Sequence, residues 1–204
     1  MTPAITAAQL AVFVGTLAVA ILSPGPAIIA ASRSAASRGR NASMPYAMGL
    51  AFGASVWCAV ALFGLTLVFG RLPGLFTILK VAGGAYLVWI AWKMVRHAAD
   101  PLAMDGETVT GPGFLQGLAL NLSNPKPALF YAGLIMSIFP TLHGSAAGMI
   151  YAVALSVEVT FYAVVTFLMA TGPMRRGYAV ARVWIDRVAG GLIGVLGLSL
   201  MIRH

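Results

Sequence analysis

Three ionisable side chains lie inside long apolar stretches of the sequence, where a charge could bind a ligand or carry a proton. Glu158 and Lys126 fall about midway along two such stretches, and Lys80 falls about a third of the way into another. Each unpaired charge at the centre of a bilayer costs about 2.5 to 3.5 kcal/mol, so these side chains must face protein or water. We expect at least one lysine to pair with Glu158. Either a structural ion pair that orients helices or a substrate or proton site would satisfy this expectation.

Two proline-rich interruptions break the apolar stretches near these charges. Proline lacks a backbone N–H and crowds the preceding turn, so two prolines one residue apart open a helix. An opened helix exposes carbonyls at one end and amides at the other, equivalent to about half a charge of each sign. The first break (residues 23–26) consists of Ser23, Pro24, Gly25 and Pro26, and the second break (residues 124–127) of Asn124, Pro125, Lys126 and Pro127.

The backbone groups freed at the first break complement a zwitterion. Amides of Ala27 and Ile28 could bind a carboxylate, and carbonyls of Leu22 and Ser23 could receive an ammonium group. The lysine of the second break would reinforce the anion side, and Glu158 would reinforce the cation side. Proton antiport follows if protonated Glu158 releases the substrate ammonium and ionised Glu158 accepts it.

The composition identifies lipid as the main solvent of the elements that carry these residues. The chain has 204 residues, of which 60% are hydrophobic and only 9% are charged, against about 25% charged in soluble domains. Mean hydropathy is +0.91. A soluble domain and a disordered chain are therefore both excluded.

Charge and reactive side chains argue against several other classes. The net charge is +8, but the basic residues are scattered between apolar runs, which membrane topology explains better than nucleic-acid binding. Cys58 is the single cysteine, so the chain has no intrachain disulfide and no thiolate metal cage. The three histidines are scattered, and no span carries paired carboxylates or a Ser/His arrangement. We expect no metal, no cofactor and no enzymatic activity.

Six stretches are long enough to cross a bilayer, which requires about 20 mostly apolar helical residues. They run roughly over residues 9–32, 46–69, 75–92, 114–139, 148–170 and 183–202. We predict an all-α integral membrane protein in which residues 1–204 form a single domain of six transmembrane helices. The first and fourth helices are predicted to be broken at the two breaks.

The two halves of the chain carry the same features in the same order. Each half has a proline break, one intervening span, and then a cation followed by Val-Ala-Gly-Gly, at Lys80 and at Arg187. Three spans in each half place the second half in the opposite orientation, which predicts a 3+3 inverted repeat of the kind found in secondary transporters. Repeat one covers about 1–95, a polar cytoplasmic loop about 96–113, and repeat two about 114–204.

Lysine and arginine are distributed unequally between the connections, and this predicts the orientation. Nine basic residues follow spans one, three and five, whereas two lie on the opposite side. Both termini are therefore predicted to be periplasmic, in a multi-pass protein of the bacterial inner membrane. The nine are Arg33, Arg38, Arg40, Lys93, Arg96, Arg175, Arg176, Arg182 and Arg187, and the two are Arg71 and Arg203.

Together with the two breaks, several short motifs carry a family resemblance that covers the whole chain. The motifs are Gly39-Arg40, Lys80-x-x-Gly83 with Tyr86, Asn124-Pro125-Lys126 followed by Phe130, and Arg187-x-x-Gly190. At these positions the chain resembles the LysE/RhtB family of amino-acid exporters, which are homoserine-, threonine- and lysine-type efflux proteins. The resemblance implies efflux of amino acids or close derivatives, driven by proton exchange.

Other functions remain open at this point. A non-transporting membrane scaffold, a channel and a cation exporter on the same scaffold are alternatives to a secondary exporter. The expected partners are the small-molecule substrate, protons and the lipid bilayer. Three Gly-x-x-x-Gly pairs match the close-approach pattern of membrane helices, either within one subunit or in a homodimer. They begin at Gly49, Gly113 and Gly190.

Overall fold

A computed structural model describes residues 5–23, 25–64, 73–100, 113–139 and 144–202. All regular structure within these residues is helical. The helices are α1 (Ala7–Leu22), α2 (Pro26–Arg38), α3 (Arg40–Ala59, continued by a π-helical turn over Val60–Gly64), α4 (Pro73–Arg96), α5 (Phe114–Leu122), α6 (Pro125–Ile138), α7 (Ser145–Met169) and α8 (Gly172–Ile202).

Helix ends near the two breaks follow from local chemistry. Pro26 and Pro125 occupy the first turns of α2 and α6. Backbone N–H groups in the first turn make no intrahelical hydrogen bond, so proline, which lacks the N–H, is tolerated there. Asn124 caps α6, because its side chain accepts a hydrogen bond from the Lys126 backbone amide at 3.0 Å. Between α2 and α3, Gly39 has φ of 78°, a conformation that glycine adopts without steric penalty.

Three described helices are long and apolar enough to cross a membrane by themselves. These are α3 with its π turn, α7 and α8, and the pair α1–α2, bent by 60°, gives a fourth candidate. The helix α4 covers the third predicted span, and the pair α5–α6 covers the fourth. The all-helical membrane class is therefore confirmed, while the count of six spans stays a prediction.

The last helix corrects the predicted boundary at residue 183. Helix α8 begins at Gly172, so the basic residues assigned to a loop after span five lie within the first half of this helix. Hydropathy marks the lipid-facing part of a helix, whereas a helix can continue into water through polar residues. Likewise α2 continues to Arg38, and Arg33 is not in a loop.

Glycine contacts define the directions of the main helix pairs. A Cβ at Gly49 would overlap the Phe114 carbonyl, and one at Gly53 would lie 2.8 Å from the Leu118 carbonyl oxygen, so α3 and α5 run parallel. Gly84 lies against Gly197 and Gly190 against Ala91, so α4 and α8 run antiparallel. In both pairs the glycines allow the two backbones to approach within the same chain.

The core lies where α1, α3, α6 and α7 meet. Phe13 of α1 and Phe139, which follows α6, pack with ring centroids 5.7 Å apart. At the other end of the same pair, Lys126 of α6 reaches Ala20 of α1. Helices α1 and α6 are therefore antiparallel, and the second break faces the first.

Candidate functional site

The side chain of Lys126 joins the second break to the first. Its Nζ donates to the carbonyl oxygens of Ala20 and Ser23, each at 3.3 Å. These carbonyls belong to the C-terminal end of α1, where the partial negative charge of a helix favours a cation. The second break thus supplies the positive charge that the first break requires.

Helix α8 holds the first break from another side. The Tyr178 hydroxyl donates to the Leu22 carbonyl at 2.9 Å, and the Ser23 side chain hydrogen-bonds to the Asp186 carboxylate. The sequence analysis expected the carbonyls of Leu22 and Ser23 to receive a substrate ammonium group. In this structure they receive hydrogen bonds from Tyr178 and Lys126, because the chain itself satisfies the carbonyls freed by the break.

The start of α2 differs from the start of α6. Gly25 is the N-cap of α2 and provides no side-chain hydrogen bond, whereas Asn124 caps α6. The Ile29 amide returns to the Gly25 carbonyl at 3.0 Å, which leaves Ala27 and Ile28 as the first amides of α2 without an intrahelical acceptor. Both residues line a small cavity, together with Glu158.

Glu158 of α7 is buried, with 2% of its surface exposed. The Tyr131 hydroxyl of α6 donates to its Oε1 at 2.8 Å. Its Oε2 is buried and has no hydrogen-bond partner among the described atoms. One oxygen is therefore held in position while the other remains available.

The expected pairing of Glu158 with a lysine stays a prediction: the charge of Lys126 acts on Glu158 without a hydrogen bond between them among the described atoms, and the side chain of Lys80 lies outside the described residues. On the surface, His97 hydrogen-bonds to Asp100 at 2.7 Å, a contact that is an ion pair when the imidazole is protonated. Lys126 approaches α1 rather than Glu158, because carbonyls of the broken helix compete for its ammonium group. The hydrogen bond that Glu158 accepts comes from the Tyr131 hydroxyl and not from a cation.

Two cavities share the first break and Lys126 as walls. The inner cavity has a volume of about 50 Å³ and contains Glu158, Tyr131 and Asn121. The outer cavity has a volume of about 470 Å³ and contains Asp186. A single water needs roughly 10 to 15 Å³ on this scale, whereas ligand sites typically have about 300 to 1,000 Å³. The inner cavity thus holds only water-sized groups in this conformation, and the outer one can hold a small molecule.

Most of the predicted site residues lie around these two cavities. Ser23, Gly25 and Lys126 line both. Pro24 lies outside the described residues, and Lys80 is described only as part of the α4 backbone. The remaining four divide between the inner cavity (Asn124 and Glu158) and the outer cavity (Pro26 and Pro125).

Sequence reasoning missed three polar residues of the site. Tyr131 and Tyr178 escaped notice because hydropathy treats a tyrosine within an apolar stretch as an ordinary aromatic residue. Asp186 lies within the predicted sixth span but was not counted among its ionisable side chains, although only 4% of it is exposed. Its spacing of four residues from Arg182 places both on one helical face once α8 is extended to include Arg182.

The structure shows an α-helical membrane protein in which polar groups and two cavities surround the junction of α1 and α2, an arrangement compatible with the class of transporters. Comparison with known families agrees with this class. The family model "LysE type translocator" matches residues 18–204. The chain belongs to this family, and it is a membrane transport protein rather than an enzyme.

Several curated relatives are similar over nearly their whole length. The threonine efflux protein of Escherichia coli (strain K12) is 36% identical over 194 residues, covering 91% of this chain and 94% of the relative. The threonine efflux protein of Salmonella typhi is 38% identical over the same shares. The leucine efflux protein of Klebsiella pneumoniae is 24% identical over 90% of this chain and 88% of the relative. No solved structure matches the chain.

Proposed function

We propose that the protein is a secondary active exporter of amino acids or closely related small zwitterions, coupled to proton antiport. The observation that carries this proposal is the inner cavity, which is lined by Ala27 and Ile28 at the start of α2 and by buried Glu158, whose Oε2 has no hydrogen-bond partner among the described atoms. A carboxylate and free amides are complementary to the ammonium and carboxylate groups of one zwitterion. The names of the threonine and leucine efflux relatives support the same substrate class.

Glu158 would couple export to proton movement. An ionised Glu158 accepts the substrate ammonium group on Oε2 while Tyr131 holds Oε1. A proton that arrives from the periplasm neutralises the carboxylate, and the substrate ammonium loses its partner and leaves. The carboxylate then releases the proton on the cytoplasmic side, which returns the site to its ionised form.

The architecture proposed for this cycle is the 3+3 inverted repeat with two broken helices. Its six crossings require the first and fourth spans to be antiparallel, the second and fourth parallel, and the third and sixth antiparallel. The directions of α1 with α6, α3 with α5, and α4 with α8 agree with all three requirements. The contacts between α4 and α8 also have approximate two-fold symmetry. Gly84 of α4 contacts Gly197 of α8, and in the reverse sense Gly190 of α8 contacts Ala91 of α4.

In the proposed orientation, the outer cavity opens to the cytoplasm. Its walls include Lys93, His97 and Arg182, which belong to the basic side of the chain, and positive residues remain in the cytoplasm during insertion. The protein would lie in the inner membrane with both termini periplasmic. A cavity open to the cytoplasm is the conformation in which an exporter collects substrate.

Transport into inside-out membrane vesicles tests the proposal. A panel of radiolabelled amino acids that includes threonine and leucine is added to the outside, with and without an acidic vesicle interior. We expect accumulation of at least one neutral amino acid, increased by the pH gradient and abolished by a protonophore. Accumulation of no amino acid would reject the proposed export and leave the scaffold, the channel and the cation exporter.

Glu158→Gln tests the proposed coupling residue separately. The amide has the shape of the carboxyl group but cannot exchange a proton, so the gradient should no longer drive accumulation. Asp100→Asn is the matched control, because Asp100 is an exposed carboxylate paired with His97 and should transport as the wild type does. Gradient-driven accumulation by Glu158→Gln would exclude Glu158 as the coupling group.

A further inference from the structure

We propose that Asp186 and the outer cavity form a second substrate subsite, which binds the ammonium group of the zwitterion before it reaches Glu158. This inference rests on the proposed export function, and it assigns a residue that neither the sequence motifs nor the relatives identify. In it, Lys126 divides the two subsites. The substrate moves between them only when Lys126 leaves the carbonyls of the first break.

The Asp186 carboxylate is buried and incompletely satisfied. Only 4% of the residue is exposed, and Oδ1 has no hydrogen-bond partner among the described atoms. The Ser23 side chain occupies part of the remaining hydrogen-bonding capacity. A buried polar group without a partner is destabilising, so an oxygen in this position is suited to a ligand that arrives with its own donors.

Arg182, one helical turn before Asp186, is engaged elsewhere. Its Nε and Nη2 donate to the Ala98 carbonyl at 3.2 and 3.0 Å, and Nη2 also donates to the His97 carbonyl at 3.1 Å. These bonds fix the guanidinium at the C-terminal end of α4. The charge of Arg182 still acts on Asp186, but its hydrogen bonds go to these carbonyls, and Oδ1 of Asp186 keeps its capacity to accept a hydrogen bond from a substrate ammonium group.

The outer cavity has the size and lining that a small zwitterion requires. Its volume of about 470 Å³ falls within the range of small-molecule sites, about 300 to 1,000 Å³. Asp186 supplies the anionic group and Lys93, which lies 4.6 Å from the Trp89 ring centroid, supplies a cationic group in the same cavity. The inner cavity of about 50 Å³ cannot hold the same molecule until it expands.

Lys126 separates the two carboxylates. It lines both cavities, and the charges of Asp186 and Glu158 both act on it. Its present contacts are carbonyl oxygens, which an ammonium group can exchange for a carboxylate oxygen without losing hydrogen bonds. A substrate ammonium that leaves Asp186 for Glu158 can therefore be replaced at Asp186 by Lys126, so that the buried acids keep a positive partner throughout.

Kinetics of the intact protein in inside-out vesicles test this subsite. The probe is the amino acid that the wild type accumulates best, and the competitor is its 2-hydroxy acid analogue, which lacks the ammonium group. Asp186→Asn should raise KM about 10- to 100-fold, the loss expected for one hydrogen bond to a charged group, while accumulation remains dependent on the pH gradient. The same variant should also lose the preference of the wild type for the amino acid over the 2-hydroxy acid.

Asp105→Asn is the matched control, since Asp105 belongs to the polar loop predicted between the two repeats and is not part of the proposed subsite. It should leave KM and the preference for the ammonium group unchanged. An Asp186→Asn variant with wild-type KM and preference would overturn the subsite while leaving the export function intact. Absence of amino-acid accumulation by the wild type would instead reject the function itself.

A second variant keeps the inference testable if Asp186→Asn does not fold. Ile29→Trp narrows the outer cavity, which Ile29 lines, and leaves Asp186 unaltered. It should raise KM more for a large amino acid such as leucine than for a small one such as alanine. Equal KM values for wild type and Ile29→Trp with both substrates would show that substrate does not pass through the outer cavity.

Discussion

The hydrogen bond between Tyr131 and Glu158 can be measured by a double-mutant cycle. Tyr131→Phe removes the donor, Glu158→Leu removes the carboxylate that accepts, and the double variant removes both. If the hydroxyl holds the carboxylate as the structure indicates, the two single changes should not be additive in the free energy of unfolding. The coupling energy isolates this contact from the other effects of each substitution.

The structure sets the expected size of the coupling. Hydrogen bonds between membrane helices average about 0.6 kcal/mol in such cycles and reach about 1.7 kcal/mol, whereas bonds to charged groups contribute about 1.5 to 3 kcal/mol. Tyr131 and Glu158 are 1% and 2% exposed, and their oxygens are 2.8 Å apart. For a short, buried hydrogen bond to an acid we expect a coupling energy where these two ranges overlap, at about 1.5 kcal/mol.

Reversible unfolding in mixed micelles, with an increasing fraction of denaturing detergent, provides the free energies. Tyr162→Phe is the matched control for Tyr131→Phe, because Tyr162 lines the same inner cavity but hydrogen-bonds to Asn121. Its cycle with Glu158→Leu should give a coupling below about 0.5 kcal/mol. Additivity of Tyr131→Phe and Glu158→Leu within the same limit would refute the assignment of Tyr131 as the group that positions Glu158.

Two further changes test the packing that supports the site. Gly117→Ala should destabilise the protein by about 1 to 3 kcal/mol, because the new methyl group would overlap the Tyr46 carbonyl. The control Gly191→Ala has no atom within 4 Å of the new methyl group and should be neutral or slightly stabilising. Equal melting temperatures of the two variants would contradict the close approach of α3 and α5. Arg182→Met should lower the melting temperature by several degrees, at about 2 to 4 °C per kcal/mol, because the buried Ala98 carbonyl loses its hydrogen-bond donors. Arg176 is exposed, so Arg176→Met is the control. A decrease for Arg182→Met no larger than that for Arg176→Met would contradict the contact with Ala98.

Composition and motifs were sufficient to predict the family and the all-helical membrane class. Low charge content excludes a soluble surface for any chain of this length, and the motifs at residues 23–26 and 124–126 carried the family resemblance. Local signals also locate helix ends, because proline and the Asn124 cap act on the residues beside them. These features depend on neighbours in sequence, which a sequence displays directly.

Features that depend on contacts between distant residues could not be predicted in the same way. The pairing of Glu158 with Tyr131 rather than with a lysine depends on which faces of α6 and α7 meet. Lys126 was expected to help bind an anion, yet it contacts carbonyls more than 100 residues earlier in the chain. Asp186 lies within the predicted sixth span, but its contact with Ser23 depends on which face of α8 packs against the first break.

The charges around the first break agree with the proposed zwitterionic cargo. The deep ionisable side chains that the structure describes there are Lys126 and Arg182, balanced by Asp186 and Glu158. A zwitterion adds one charge of each sign and preserves this balance, whereas a net cation would leave an excess charge in the membrane, at a cost of about 2.5 to 3.5 kcal/mol. A proton on Glu158 creates the same excess, which departure of the substrate does not relieve. In the proposed cycle, the protonated, empty site therefore carries the excess charge, and release of its proton to the cytoplasm would restore the balanced state that accepts the next substrate.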